Sequence, residues 1–153
     1  MYTYSVYWIN EEVAKHYFHK SDILYRFLRD YQNNPDRIDL ITQFEYITNS
    51  FSEKKLVTHF KKQYREQKVL IKINSPRIEI YKDTTSISLH ISEKQLEFRC
   101  KTLQDAEEIL FPILRKFQPI LFITGINIDN YGWISPVIIS SNYQEKQVLY
   151  SHL

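Results

Sequence analysis

Apolar residues in the first third of the chain recur every three or four positions, and from about residue 69 they recur every second one. The change of period divides the chain into a helical part and a strand-rich part. One strand precedes both. In Tyr2 to Ile9, Tyr2, Tyr4, Val6 and Trp8 lie on one face and Thr3, Ser5, Tyr7 and Ile9 on the other. The second face is also partly apolar, so this strand reads as buried on both sides.

Helix signals follow at once. Asn10 is a good N-cap, because its side-chain oxygen can accept a free N–H of the first turn. Glu11 and Glu12 then stand where the helix dipole favours negative charge. Ser21 offers a second N-cap, before a helix over Asp22 to Asp30 with Ile23, Phe27 and Leu24, Leu28 as its apolar face. Asn34 as cap with Pro35 at the first helical position predicts a third helix, Asp36 to Tyr46. Its stripes are Ile38, Ile41, Glu45 and, beside them, Leu40, Phe44. Ile47-Thr48-Asn49-Ser50 reads as a short extended link. Ser52 or Ser50 then caps a fourth helix, Glu53 to Gln67, with Leu56, Phe60 and Tyr64 facing inward.

The period-two region contains Val69 to Ile73, Arg77 to Tyr81, Ser86 to Ile91 and Gln95 to Arg99, separated by short polar turns. Such spacing predicts an antiparallel meander with one face packed and one wet. Thr102 with Asp105 resembles a capping box. It opens a helix from Leu103 to about Phe117 that Pro112 should kink or split. Pro119 to Thr124 reads as a buried strand, Tyr131-Gly132-Trp133 as a glycine-permitted turn with two large anchors, and Trp133 to Ile139 as a last strand. The expected fold is α/β (α+β): a single domain, residues 1–139, with a mixed, largely antiparallel sheet and packed helices. Residues 140–153 are expected to form a loose C-terminal tail.

Composition narrows the function classes. The 153 residues suffice for a core without disulfides or a structural metal. Only two glycines are present, which argues against glycine-rich phosphate loops. A net charge of +2 is too mild to imply nucleic acid. The single Cys100 cannot form an intramolecular disulfide and fits a reducing compartment. No secretory signal or membrane-spanning run is visible, so a cytoplasmic location without membrane contact is expected.

Candidate chemistry is sparse. No nucleophile elbow, P-loop or dinucleotide fingerprint occurs. Glu12, His16 and His19 could form a metal trio, with a solvated helix face as the plainer reading. Cys100 reads as a small apolar filler. The Lys61, Lys62, Arg65 and Lys68 face could touch phosphates, making a nucleic-acid-binding protein the alternative function. Neither an enzyme nor a cofactor is expected.

The helix after Asn10 carries two apolar stripes at i, i+4 spacing: Ala14 with Phe18, and Val13 with Tyr17. A short helix needs one to dock on its own protein. The pattern reads as Ala14 and Phe18 inward and Val13 and Tyr17 toward a partner, with half-buried packing of the second pair as the alternative.

Ile9-Asn10-Glu11-Glu12-Val13-Ala14-Lys15-His16-Tyr17-Phe18, Asp30-Tyr31, Tyr46-Ile47-Thr48 and Tyr131-Gly132-Trp133-Ile134-Ser135-Pro136 resemble, in order and spacing, the sporulation inhibitor of replication (SirA) family. The resemblance runs from about Tyr2 to Val137. It implies a small non-enzymatic α/β protein, made at the onset of sporulation in endospore-forming bacteria. It further implies binding to the N-terminal domain of the replication initiator DnaA, which stops new rounds of chromosome replication. The binding residues implied by motif match are Val13 and Tyr17 from the first helix and Gln43 and Tyr46 from the third. Pro136 is implied as another function-linked position. At Val13 the family carries an aromatic residue, so the anchor here is smaller.

Overall fold

The computed structural model of the chain describes residues 1–135. Alternation along β1 (Tyr2–Trp8) sends Tyr4 and Val6 to one side and Ser5 and Tyr7 to the other, and all four are buried. A strand covered on both faces belongs in the middle of a sheet, and β1 is there. It pairs with β5 (Leu96–Cys100) on one edge and β6 (Leu121–Gly125) on the other. With β2 (Leu70–Asn74), β3 (Arg77–Lys82), β4 (Thr85–Ile91) and β7 (Tyr131–Trp133), the strand order is β2-β3-β4-β5-β1-β6-β7. Every pairing among the described residues is antiparallel. The sheet, expected as mixed and largely antiparallel, is antiparallel throughout the described residues, and from β2 to β5 the short links require it.

Helices cover the sheet unequally. One face carries α4 (Glu53–Gln67), α5 (Leu103–Ile109) and α6 (Phe111–Phe117). Leu56, Phe60 and Tyr64 meet Ile78, Ile80, Leu89 and Phe98 there in one core. The other face carries α1 (Glu11–Tyr17), α2 (Ser21–Asn33) and α3 (Ile38–Ile47). Their Ala14, Phe18, Leu24, Leu28 and Phe44 pack with Tyr7, Phe122 and Trp133 of β1, β6 and β7 in a second core. That layer stops at β1. Beyond it the same face of the meander is polar, with Lys72, Arg77, His90 and Arg99 exposed. The architecture is one mixed α+β domain.

Local signals decide most element ends. Ser52 Oγ accepts from Lys55 N at the start of α4, 3.3 Å, and Thr102 Oγ1 accepts from Asp105 N at the start of α5, 3.1 Å. Pro112 divides the predicted fifth helix into α5 and α6, lying in the first turn of α6 where its missing N–H breaks no helical bond.

Three expectations are corrected. Lys20, not Ser21, is the N-cap of α2. Ser21 is buried, and its hydroxyl donates to the Phe18 carbonyl, 3.3 Å, closing the turn out of α1. Asn34 and Pro35 do not start the third helix. The Asn34 amide donates to the Asp30 carbonyl, 2.9 Å, which finishes α2, and α3 begins at Ile38 with Arg37 as N-cap. Tyr131-Gly132-Trp133 is not a turn but β7, with Gly132 opposite Ile123 and no positive φ at either glycine. The two aromatic neighbours bury against helices, and that outweighs the glycine's weak strand tendency. The turn lies earlier, at Asn127, φ 63°. Of the strand predicted over Trp133 to Ile139, residues 136–139 lie outside the described residues, as does the tail 140–153.

Candidate functional site

The end of β1 sets the site. Asn10 caps α1, its Oδ1 accepting from Glu12 N at 2.9 Å. The chain therefore turns from strand to helix with no slack, and α1 leaves the sheet at a fixed angle. The far end of α3 is tied to the same corner. Ile9 and Thr48 form an antiparallel bridge, Asn10 N donates to Ile47 O at 2.7 Å, and Asn49 N donates to Trp8 O at 2.7 Å. Thr48 Oγ1 donates back to Phe44 O at 2.7 Å, and Lys94 Nζ donates to Thr48 O at 2.9 Å. The bridge and the two backbone bonds hold the end of α3 against the end of β1 and the start of α1, while Thr48 Oγ1 closes α3 itself and Lys94 ties it to the turn between β4 and β5. The short extended link of the sequence reading is this clamp.

β7 supports the end of α1 and α2 from beneath. The Trp133 ring is fully buried, stacked on Phe18 with centroids 5.7 Å apart and edge-on to Phe122 at 5.0 Å. Tyr131 stacks on Tyr25 of α2 at 4.4 Å. On α3, Phe44 stacks on Tyr31 at 4.0 Å. Burial, and secondarily the Glu45 carboxylate, holds the Tyr31 hydroxyl above its ordinary pKa, so it stays neutral in the packing.

Between α1, α2 and α3 the helices leave a small apolar pocket of about 70 Å3, lined by Val13, Tyr17, Ile23, Leu24, Phe27, Gln43 and Ile47. Val13, Leu24 and Ile47 are buried and form its floor. Tyr17, Phe27 and Ile23 form walls that solvent still reaches. Among the described residues, Gln43 and the Tyr17 hydroxyl are the polar groups of the lining, and no carboxylate, histidine, lysine or cysteine enters it. Such a lining can bind apolar groups and offers no acid–base pair.

The residues implied by the resemblance fall as follows. Val13, Tyr17 and Gln43 share this pocket, although Gln43 is 26 residues beyond Tyr17 in the chain. Tyr46, on the next turn of α3 after Gln43, is 71% exposed. Ile38 lies two turns back along α3 at i, i+8 spacing from Tyr46 and is 78% exposed. Val13 departs from the outward orientation expected of it. At 9% exposed it is floor rather than projection, because the Ala14–Phe18 stripe docks α1 so closely that its neighbour is drawn in. Tyr17 is half-buried, its body against the second core and its ring edge-on to His16 at 4.7 Å. Pro136 lies outside the described residues.

Two site residues escaped sequence reasoning. Ile23, 44% exposed, and Phe27, half-buried, carry a second apolar stripe on α2 parallel to the buried Leu24 and Leu28. The signal was available: the surplus-stripe argument applied to α1 fits α2 equally.

Other candidates place elsewhere. Lys61, Lys62, Arg65 and Lys68 are exposed on α4, across the sheet from this pocket. Glu12, His16 and His19 are exposed, and no group of three metal-binding side chains forms among the described residues. Cys100 is buried, and burial, with the Asp105 carboxylate second, pushes its thiol up to about 11. A polar cleft of about 350 Å3 lies between α2 and the β6–β7 loop, with Arg29, Gln32 and Asp129 in its lining. Its charges are engaged: Tyr25 donates to Asp129 at 3.3 Å, and Arg29 sits over the Tyr25 ring at 5.2 Å. No helix among the described residues is long and apolar enough to cross a membrane.

Comparison with known proteins bears on the whole chain. A family model described as Sporulation inhibitor of replication protein SirA matches residues 2–138. A curated relative, the Sporulation inhibitor of replication protein SirA of Bacillus subtilis (strain 168), is 26% identical over 144 residues, spanning 88% of this chain and 93% of that protein.

Proposed function

We propose a function on one premise: this chain belongs to the family of the sporulation inhibitor of replication protein SirA. It acts at sporulation as an inhibitor of chromosome replication. It does so by binding the N-terminal domain of the replication initiator DnaA through the outer face of α1 and α3, in the cytoplasm and without catalysis. Occupying a docking surface on the initiator lowers the fraction free to assemble or to recruit its own partners, by mass action alone.

One observation carries the reading. Val13, Tyr17 and Gln43, distant in sequence and each implied by the resemblance, line a single apolar pocket with exposed Tyr46 one turn away. Exposed tyrosine beside a desolvated floor is the arrangement in which interface hot spots occur. Tyr46 and Ile38 are among the most exposed large apolar side chains of the described residues, with Met1 and Leu70, and the monomer gains nothing from holding these two in water. Pro136 belongs to the same proposal on the resemblance alone.

Titration calorimetry with the isolated DnaA N-terminal domain of the same organism tests it. A saturable complex with wild-type protein, weakened by Tyr46→Ala, is the expected result. No heat and no complex by size-exclusion chromatography at micromolar concentrations would overturn the proposal.

A further inference from the structure

We propose that the bare face of β3, β4 and β5 holds a binding site for inorganic phosphate, made by Arg77, Ser88, His90, Glu97 and Arg99. The site lies apart from the α1–α3 face and stands or falls without it.

Strand register builds it. Ile78, Leu89 and Phe98 point into the first core, so Arg77, Ser88, His90, Glu97 and Arg99 stand on the opposite face of the sheet. Arg77 is opposite His90, His90 opposite Glu97, and Ser88 opposite Arg99. The five are cross-strand neighbours, and they line one open cleft of about 290 Å3. The α1–α3 layer stops short of these strands, which leaves Arg77, His90 and Arg99 exposed. Neither arginine forms an ion pair or a side-chain hydrogen bond among the described residues. Two guanidiniums that face one concavity without a counter-ion repel each other, and an anion between them reverses the sign of that term. Their planar forks match the oxygens of a tetrahedral oxyanion, and the Ser88 hydroxyl and a His90 ring N–H add two further donors.

Glu97 decides which anion enters. Its carboxylate only repels sulfate, which is fully ionised at neutral pH. Inorganic phosphate keeps at least one proton there and donates it to the carboxylate, so repulsion gives way to a charge-assisted hydrogen bond. A phosphate monoester, with a second pKa of about 6, is mostly without that proton and is disfavoured on the same ground. An extended polyanion fits less well still. Glu79 stands opposite both Lys72 and Ser88, accepts from the Tyr81 hydroxyl at 3.0 Å, and interrupts the positive strip that a nucleic-acid backbone would follow.

A proton–nitrogen NMR titration of the full chain tests the site, at neutral pH with sodium chloride holding the ionic strength constant. Inorganic phosphate should shift the amides of Ser88, His90 and Arg99 and the Nε–H groups of Arg77 and Arg99 along one saturable curve. Sulfate should bind at least about tenfold more weakly. Arg77→Gln combined with Arg99→Gln should abolish saturation, and Glu97→Gln should bring sulfate up to the affinity of phosphate. The spectrum itself reports whether each variant is folded; if the double variant is not, the sulfate and phosphate comparison in Glu97→Gln decides. Shifts that grow linearly, or that reach Lys61 and Lys62 on α4 equally, overturn the site. Equal binding of sulfate and phosphate by the wild-type chain overturns the role of Glu97 and the assignment of phosphate with it. So does saturation of the same amides by a single-stranded DNA oligonucleotide but not by phosphate.

Discussion

Truncating Tyr46 to alanine separates binding from folding more cleanly than any other change on this face. An aromatic side chain buries about 150–250 Å2 when covered. With 71% of Tyr46 open in the free protein, roughly 110–180 Å2 remains for a partner to cover. At 25 cal/mol per Å2 that corresponds to about 2.7–4.4 kcal/mol. Covering is never complete and alanine keeps its Cβ contact, so about 2–3 kcal/mol is expected. This is a rise in Kd of roughly thirty- to hundred-and-fiftyfold. Folding should barely notice, because an exposed side chain outside the core changes stability by no more than about 0.5 kcal/mol. The assay is calorimetry against the DnaA N-terminal domain beside a thermal melt. A Kd within about threefold of wild type, at unchanged melting temperature, refutes the reasoning. Tyr17→Ala is less clean, since Tyr17 also packs on the second core and its loss costs stability as well as binding.

Three further outcomes follow from the geometry. Asn10→Ala removes the only side-chain cap of a seven-residue helix, so stability should fall by about 1 kcal/mol in a urea titration and binding should weaken with it, because α1 carries both Val13 and Tyr17. Tyr64→Phe deletes the buried hydroxyl that donates to Ile109 O at 2.9 Å, and should cost about 1–2 kcal/mol in the same titration with DnaA binding unchanged. The Cys100 thiol, ordinarily near 9 and pushed up to about 11 by burial, favours the folded state only while neutral; its contribution is intact below pH 9 and is lost as pH rises toward 11. Stability measured across that window should fall less steeply for Cys100→Ala than for wild type.

Much of the fold was legible because its signals are local. Alternation identified the four strands of the meander, Ser52 and Thr102 announced their helices, and Pro112 announced the break between α5 and α6. The misreadings share one cause: a residue with good local chemistry was recruited by a distant or preceding element. Ser21 serves the end of α1, Asn34 serves the end of α2, and Tyr131 and Trp133 follow their aromatic partners Tyr25 and Phe18 into a strand. For the site, helical spacing on α1 predicted an apolar surplus. It could not predict that the Ile9–Thr48 bridge swings α3 against it, because register between distant segments leaves no trace in either one. Motif order supplied Gln43 and Tyr46 where periodicity could not. The inward roll of Val13 depends on how closely Phe18 meets Trp133, a packing detail below the resolution of any sequence pattern.

On the proposed reading, the two cores divide the labour between stability and recognition. On the α4–α6 side, every large side chain of the inward stripe Leu56, Phe60 and Tyr64 is sealed against the full width of the meander. On the other side three short helices must cover only β1, β6 and β7, and three rounded surfaces on a narrow strip cannot close over one another. The gap they leave is the pocket. It is apolar because each helix carries more apolar surface than the strip can hide, and it persists because the clamp at Thr48 prevents α3 from sliding in to fill it. A proposed binding face made in this way would need no mobile loop and no ordering on contact, so the entropy cost of association would be confined to a few side chains. On this reading, substitutions in the first core should move the melting temperature and leave DnaA binding alone, whereas Lys94→Met, which deletes the bond from Nζ to Thr48 O, should loosen the end of α3 and weaken binding in the same calorimetric assay at little cost in melting temperature.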